Sequence, residues 1–371
     1  MGKNLCESVV RFQENRMREL RFDPLRDRWV IIVPERARRP SDYLVEAARS
    51  PIEEPKIMVC PFCEGCEDKT PPEITAIRHP GTSPNTPGWR VRVVPNKFPA
   101  LRVEDSAVRY GVGIFDVASG AGAHEVIIET PDHTKTLADL PADWIKDVLL
   151  ACRERIKDLF RDDRLRYMLV FKNHKAEAGA SLAHTHSQLI ATPMVPPTVK
   201  QELKVCRENF VNKERCFICD LITQELALGQ RVIYENADFL IWAPFASSFP
   251  FETWVLPKRH LHDFSRLSDS DLTALAPVLK VSLLSIKNLL NDPPYNFVLH
   301  TSPPPFRRPG HPDYWSSIEF DYHWHIEIVP RLTRIAGFEW GAGLFINPTP
   351  PETATEYLRR EISENMKTSE R

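Results

Sequence analysis

Runs of apolar residues broken by single polar positions recur along the chain, and they predict strands at "RWVIIVP" (28–34), "HEVIIETPDH" (124–133), "RYMLVFKNH" (166–174) and "HTHSQLIATP" (184–193). A second series stands further on, at "FETWVLPKRH" (251–260), "YNFVLHTSP" (295–303) and "HWHIEIVPRL" (323–332). Between them, apolar positions three and four apart predict helices over about 138–160 and 268–290. Reading for repetition organises the whole pattern. Each half runs CxxC, a strand ending in His, a long helix, a strand, and a strand opening on His-x-His. The first half holds Cys60, Cys63, His133, His184 and His186, and the second holds Cys216, Cys219, His260, His323 and His325. The expected architecture is α+β: two tandem units, 20–195 and 205–350, each an antiparallel sheet with one helix packed on it. A linker is expected near 194–215, where "PMVPPTVKQELK" turns from Pro-rich to charged. The stretch 305–321 has no counterpart in the first unit and reads as an insertion.

Composition narrows the function classes. The chain has 371 residues, 42% hydrophobic and 26% charged, which are globular proportions. No run of apolar residues approaches the roughly 20 that span a bilayer. The first twenty residues, alternating in charge, have no secretory pattern, so a cytoplasmic protein is expected. A net charge of -2 offers no basic face to a nucleic-acid backbone. With 33 prolines and only 14 glycines, neither a Walker loop nor a GxGxxG turn is present, which argues against an ATPase or a Rossmann dehydrogenase.

Four of the eight cysteines form the two CxxC pairs, and in a reducing compartment such pairs point to metal. A lone histidine is ordinarily a surface or core imidazole; the repetition is what singles these out. The expected ligand sets are Cys60, Cys63, His133 and His184, and Cys216, Cys219, His260 and His323. All four ligands of each come from the protein, so two closed, structural zinc ions per chain are expected. Cys6, Cys66, Cys152 and Cys206 lack such partners and read as ordinary.

In a strand, positions two apart share a face, so His184, His186 and Gln188 are expected to project together. With His184 held by metal, His186 is left as a placed, free imidazole, one of the few side chains nucleophilic near neutral pH without a separate base. A covalent phosphoimidazole would split a transfer between two phosphates into two similar half-reactions. Gln188 could donate to a phosphoryl oxygen without titrating. Arg36, Arg38, Arg39 and Ser181 are further candidate donors. The second unit keeps His325 but has Glu327 in place of the amide, a poor neighbour for phosphate, so only the first unit is expected to be catalytic.

These residues resemble the His-x-His-x-Gln signature of the galactose-1-phosphate uridylyltransferase family, a doubled branch of the histidine-triad superfamily, and the similarity runs from "DPLRDRWVIIVPERARRP" to "GFEWGAGLFINP". The resemblance implies that His186 carries the nucleotidyl group, with Gln188, Ser181, Arg36 and Arg39 as phosphate contacts and Asn96 at the nucleoside. Phe338 and Glu339 fall where family members hold hexose hydroxyls with residues of the partner subunit, which implies a homodimer with shared sites. Asn347 is a further position of this kind. The family's substrates are nucleotide sugars and sugar phosphates. The leading expectation is exchange of UMP between UDP-glucose and galactose 1-phosphate through uridylyl-His186; the alternative is an ADP-glucose phosphorylase, from the branch with two CxxC pairs. Two departures bear on the choice. Asn96-Lys97 stands where many uridylyltransferases have Asn-Asp, and Glu202, His300 and His325 resemble parts of another metal site whose last His is here Glu327.

Overall fold

The computed structural model describes residues 18–36, 39–43, 59–304 and 315–369. The expectations for Cys6, Arg38 and most of the 305–321 insertion therefore lie outside the described residues. Near the start of the described chain, β1 (Glu19–Asp23) and β2 (Arg28–Ile32) form a hairpin. Ten strands form one sheet: β3 (Thr75–Arg78), β4 (Trp89–Pro95), β7 (Ala123–Ile128), β8 (Tyr167–His174), β9 (His186–Thr192), β10 (Val232–Glu235), β11 (Phe239–Trp242), β12 (Thr253–Pro257), β13 (Tyr295–His300) and β14 (His325–Pro330). A separate hairpin, β5 (Arg109–Val112) and β6 (Phe115–Ala118), stands between β4 and β7 in sequence, and β15 (Phe345–Asn347) adds to the edge of β2. The order of the large sheet is β10-β11-β12-β14-β13-β8-β9-β7-β4-β3, and every pairing is antiparallel. This order reads the same way inward from both edges. The internal repeat is thus a two-fold arrangement of five strands and five, joined where β8 pairs β13 with Phe171 opposite Val298.

Alternation within the strands places the two faces. In β9, Ser187, Leu189 and Ala191 point one way and His186, Gln188 and Ile190 the other. The first set meets α1 (Ala142–Leu159), whose Ile145, Val148, Leu149, Cys152 and Ile156 join Val91, Val93 and Ile127 in the main core. Two further helices, α2 (Pro197–Lys213) and α3 (Phe217–Leu228), lead into the second half. There α4 (Asp269–Leu289), the counterpart of α1, adds Leu272, Leu275, Leu279 and Leu283 to the same core. One apolar layer therefore serves both halves. Helix α4 begins at a capping box in which Ser268 and Asp271 exchange hydrogen bonds, which sets its N-terminus at the predicted place. By length and composition it is apolar enough to cross a membrane, but its apolar side is core.

Two expectations are corrected. The region read as a linker is largely helix α2, with Pro197 at its first turn, and it buries Val199, Glu202, Leu203 and Cys206. Its prolines start the helix, since the missing N–H is not needed there. Second, β9 begins at His186, so His184 precedes the strand. Gly122 sits where β7 comes alongside β9; a Cβ there would lie 2.4 Å from the carbonyl oxygen of Ala191.

Candidate functional site

Cys60, Cys63, His133 and His184 converge, with Cys63 Sγ 3.4 Å from His133 Nδ1 and 3.6 Å from His184 Nδ1. Cys60 Sγ lies 3.7 Å from His184 Nδ1, and the two Nδ1 atoms are 3.3 Å apart. Tetrahedral ligation at about 2.3 Å to sulfur and 2.0–2.1 Å to nitrogen would separate sulfur from nitrogen ligands by about 3.5 Å and two nitrogens by about 3.3 Å. The gathered atoms match those edges. His184 Nε2–H donates to the carbonyl of Thr130 at 2.7 Å, which leaves the Nδ1 lone pair for a metal.

Cys216, Cys219, His260 and His323 repeat the arrangement, with Cys219 Sγ 3.4 and 3.5 Å from the Nδ1 atoms of His260 and His323. Here Nε2 of His323 donates to Pro257 and that of His260 to Glu319, at 2.9 and 3.0 Å. Both groups could therefore hold a metal ion. Glu202, His300, His325 and Glu327 form a third group of this kind, all buried. There, however, the guanidinium of Arg26 already stands on Glu327 and, at 3.0 Å, on Glu252.

The bend at His184 redirects the chain. Its own carbonyl accepts the Nδ1–H of His186 at 2.8 Å, so the lone pair of the His186 ring is on Nε2. The ring lies under Phe62, centroids 5.2 Å apart. Burial, then the positive charge of Lys172, holds its pKa below the usual imidazole value, which favours the neutral ring.

Beneath the strand, on the core side, a fully buried ion pair holds the backbone. Lys172 Nζ donates to Glu129 and to the Thr185 hydroxyl, each at 2.8 Å, and to the carbonyl of His186 itself at 3.0 Å. Glu129 also accepts from the hydroxyls of Thr185 and Ser187, at 2.5 and 2.6 Å. Burial alone would push the Glu129 carboxyl up, but Lys172 and the two hydroxyls outweigh it and keep it below its usual range. All three donor hydrogens of the ammonium are used. Sequence reasoning missed this pair. Its only signal is a lysine on the same register as Met168 and Val170, after the apolar run of the strand "YMLVFKNH".

On the open face, Gln188 follows His186 and its Oε1 lies 2.9 Å from Nε2 of His124, another residue the sequence reading passed over. Asn96 joins them, its Nδ2 3.1 Å from the same nitrogen. The structure thus brings His186, Gln188 and Asn96 to one side of the sheet. Ser181 and Arg39 are exposed, and among the described residues no hydrogen bond ties either to His186. Arg36 closes the short 3-10 turn Pro34–Arg36, but its side chain lies outside the described residues. Phe338 and Glu339 lie on an exposed six-residue helix, Gly337–Ala342, where Glu339 accepts the N–H of Ala336 at 3.0 Å. Asn347 is buried and satisfied by Ser247, Phe249 and Thr349, as a structural amide would be.

The counterpart of His186 is closed off. His325 likewise donates Nδ1–H to the carbonyl two residues back, but it is stacked between Trp254 at 4.4 Å and His300 at 4.7 Å, with no exposure. His186 is buried as well, so the two halves share a frame and differ in what packs on the imidazole: Phe62 in the first, Trp254 and His300 in the second.

Comparison with known proteins identifies the family. Residues 9–196 match the model of the galactose-1-phosphate uridyl transferase N-terminal domain, and residues 170–344 that of its C-terminal domain. The ADP-glucose phosphorylase of Arabidopsis thaliana is 39% identical over 94% of both chains. The galactose-1-phosphate uridylyltransferase of Thermotoga maritima is 28% identical over 92% of this chain and 98% of its own. Among solved structures, the Arabidopsis ADP-glucose phosphorylase with bound ADP-glucose superposes with a TM-score of 0.74 at 36% identity, covering 92% of this chain and 98% of its own. A uridylyltransferase superposes with a TM-score of 0.70 at 28% identity, covering 94% of this chain and 100% of its own. With both domain models matched in order and a 39% identical relative over nearly its whole length, this chain belongs to the galactose-1-phosphate uridylyltransferase family and is a nucleotidylyltransferase.

Proposed function

We propose that the chain moves a nucleoside monophosphate from a nucleotide-glucose to a phosphate-bearing acceptor through a covalent bond to Nε2 of His186. The observation that carries this is the bond from His186 Nδ1–H to the His184 carbonyl, which presents a neutral ring with its lone pair on the other nitrogen. Nε2 attacks the α-phosphorus, the bond from that phosphorus to the bridging oxygen breaks, and glucose 1-phosphate leaves. An acceptor phosphate oxygen then attacks the same phosphorus and the P–N bond breaks, restoring the free imidazole. Gln188 would donate to the phosphoryl oxygens as charge develops, with Arg36, Arg39 and Ser181 as further phosphate contacts and Asn96 at the nucleoside. Phe338 and Glu339, on their exposed helix, would reach the hexose of the partner's site in a homodimer. The first unit, 20–195, would catalyse, and the second, 205–350, would support it.

Of the two donors, ADP-glucose with inorganic phosphate as acceptor is favoured by the 39% identical ADP-glucose phosphorylase and by Asn96-Lys97 in place of Asn-Asp. UDP-glucose with galactose 1-phosphate is the second reading, favoured by the match of both halves to the uridyl transferase models and by the 28% identical relative. A two-by-two assay separates them: either nucleotide-glucose as donor, either acceptor. The first reading expects ADP from ADP-glucose and phosphate at a kcat/KM at least about tenfold above any UDP-glucose reaction, a difference of about 1.4 kcal/mol. UDP-galactose as the dominant product would transfer the assignment to the second.

Both Cys2His2 groups would hold zinc, which here would supply folding free energy and fix the entry to β9 rather than touch substrate. Metal analysis should find two zinc ions per chain, and Cys63→Ser should leave one. That variant is expected to be less thermally stable and to lose most nucleotidyl transfer, because His184 would no longer anchor the bend that places His186. Full activity in protein stripped of both ions would count against this role.

A further inference from the structure

The open face of β9 presents Gln188 beside a histidine that no part of the chemistry above has used. We propose that His124 is a positioning residue, locking the Gln188 amide with its NH2 group directed to the reacting phosphate; the inference rests on the reading of His186 as nucleophile.

Register brings the two together. Val126 of β7 lies opposite Gln188, and His124, two residues earlier, shares that face and neighbours Gln188 on the diagonal. One backbone contact then places the ring hydrogen. Ala100 donates its backbone N–H to His124 Nδ1 at 3.1 Å, and a backbone N–H cannot accept, so Nδ1 carries a lone pair. The hydrogen of the neutral ring is therefore on Nε2, the atom 2.9 Å from Gln188 Oε1. Gln188 must meet it with its carbonyl oxygen, which leaves both amide hydrogens for another partner.

Asn96 is oriented by the same logic. Its Oδ1 accepts the N–H of Phe98 at 2.9 Å, so its NH2 is the end lying 3.1 Å from His124 Nε2. Two donors face each other at that contact, and the Asn96 hydrogens remain for an acceptor outside the trio. The result is a pair of amides, each held by its oxygen and offering nitrogen donors on the face that carries His186.

The lock matters because the two ends of a glutamine amide have nearly the same shape and opposite polarity. A reversed Gln188 would present oxygen lone pairs to phosphate oxygens, turning an attraction into a repulsion. The imidazole disfavours that rotamer: with the Asn96 NH2 already beside Nε2–H, reversing Gln188 would remove the one acceptor that hydrogen has in the trio.

The test is single-turnover formation of nucleotidyl-His186 from ADP-glucose and from UDP-glucose, measured for the unmodified protein, His124→Ala, Gln188→Ala, the double variant and His124→Gln, with melting temperature and zinc content as folding controls. His124→Ala is expected to slow the step about 10- to 100-fold, less than the roughly 100- to 1,000-fold for outright loss of one aligned donor, because the amide stays and only its orientation is released. The double variant should be no slower than Gln188→Ala alone, because a lock has no effect once the amide it holds is gone. His124→Gln keeps a donor and should recover most of the rate, which also guards against misfolding of the alanine variant. Losses that multiply in the double variant, an unchanged rate in His124→Ala, or a His124→Gln variant as slow as His124→Ala would overturn the proposal. These outcomes are distinct from failure of the underlying reading, which would appear as no modification of the unmodified protein by either donor and would remove the basis of the proposal as well.

Discussion

Replacing His186 with alanine is expected to reduce nucleotidyl transfer by at least about 10,000-fold, more than about 5 kcal/mol of transition-state stabilisation, while leaving the fold intact. The magnitude follows from the role: no neighbouring group can form the P–N bond in its place. His184, the nearest imidazole in sequence, directs Nδ1 toward the cysteines and Nε2–H toward Thr130, so neither of its nitrogens is available. His325 is sealed between two rings. The substitution removes a buried side chain that packs on Phe62 outside the main core, and alanine keeps the strand backbone and the Lys172 contact to its carbonyl. Steady-state assay with the preferred donor, together with a melting curve, checks both halves of the expectation. Residual turnover within about tenfold of the unmodified protein would mean that the phosphoryl group passes directly to the acceptor.

The second large effect is on stability, and it comes from below the strand. Lys172→Met is expected to destabilise the protein by about 3–5 kcal/mol, because Glu129 would remain buried with its cation removed. Chemical denaturation should show the loss as a lower midpoint. Removing the carboxylate as well, in Lys172→Met with Glu129→Leu, should recover part of it, since an apolar pair avoids the uncompensated charge. The pH dependence has a definite sign. The folded-state pKa of Glu129 is depressed, so its contribution is present above the ordinary carboxyl value of 4.5 and is lost as pH falls through the lower folded value. Without Lys172 that folded pKa rises, and acid unfolding of the single variant should begin at higher pH than in the unmodified protein. A single variant as stable as the original would show that the pair does not hold the strand.

The two Cys2His2 groups were legible in the sequence for a physical reason. Tetrahedral ligation requires particular atoms from separated segments, and residues without a shared ligand would rarely repeat CxxC, His and His-x-His in the same order. The strands and the two long helices were legible because half-buried elements must alternate with the period of their backbone. What sequence could not show depended on partners distant along the chain. The sequence reading has His184 in the strand because two-residue spacing cannot say where pairing starts; in the structure pairing with β7 begins at His186 opposite Ile128. Helix α2 was hidden by prolines whose positions mark its start. Lys172 and Glu129 are 43 residues apart, and each alone looks like a solvated charge. His124 sits 64 residues from Gln188 and is recognisable only once the register places them side by side.

The difference between the two halves follows the same lines. Gln188 against Glu327 was visible as a change of residue, but the sealing of the second site depends on Arg26, from near the start of the chain, reaching Glu327 and lying over Trp254 at 5.0 Å. The duplicated frame thus carries a buried imidazole in each half, followed two residues on by an amide in one and by a carboxylate held by Arg26 in the other.

The nucleotidyl-His186 bond can be sought directly by mass spectrometry of the intact protein after brief exposure to ADP-glucose or UDP-glucose without acceptor, followed by mapping of the modified peptide. The account predicts one nucleoside monophosphate per chain, acid-labile as a P–N bond is, on the peptide carrying His186, and its disappearance when the acceptor is added. Turnover with no modified protein, or modification on a residue other than His186, would contradict it.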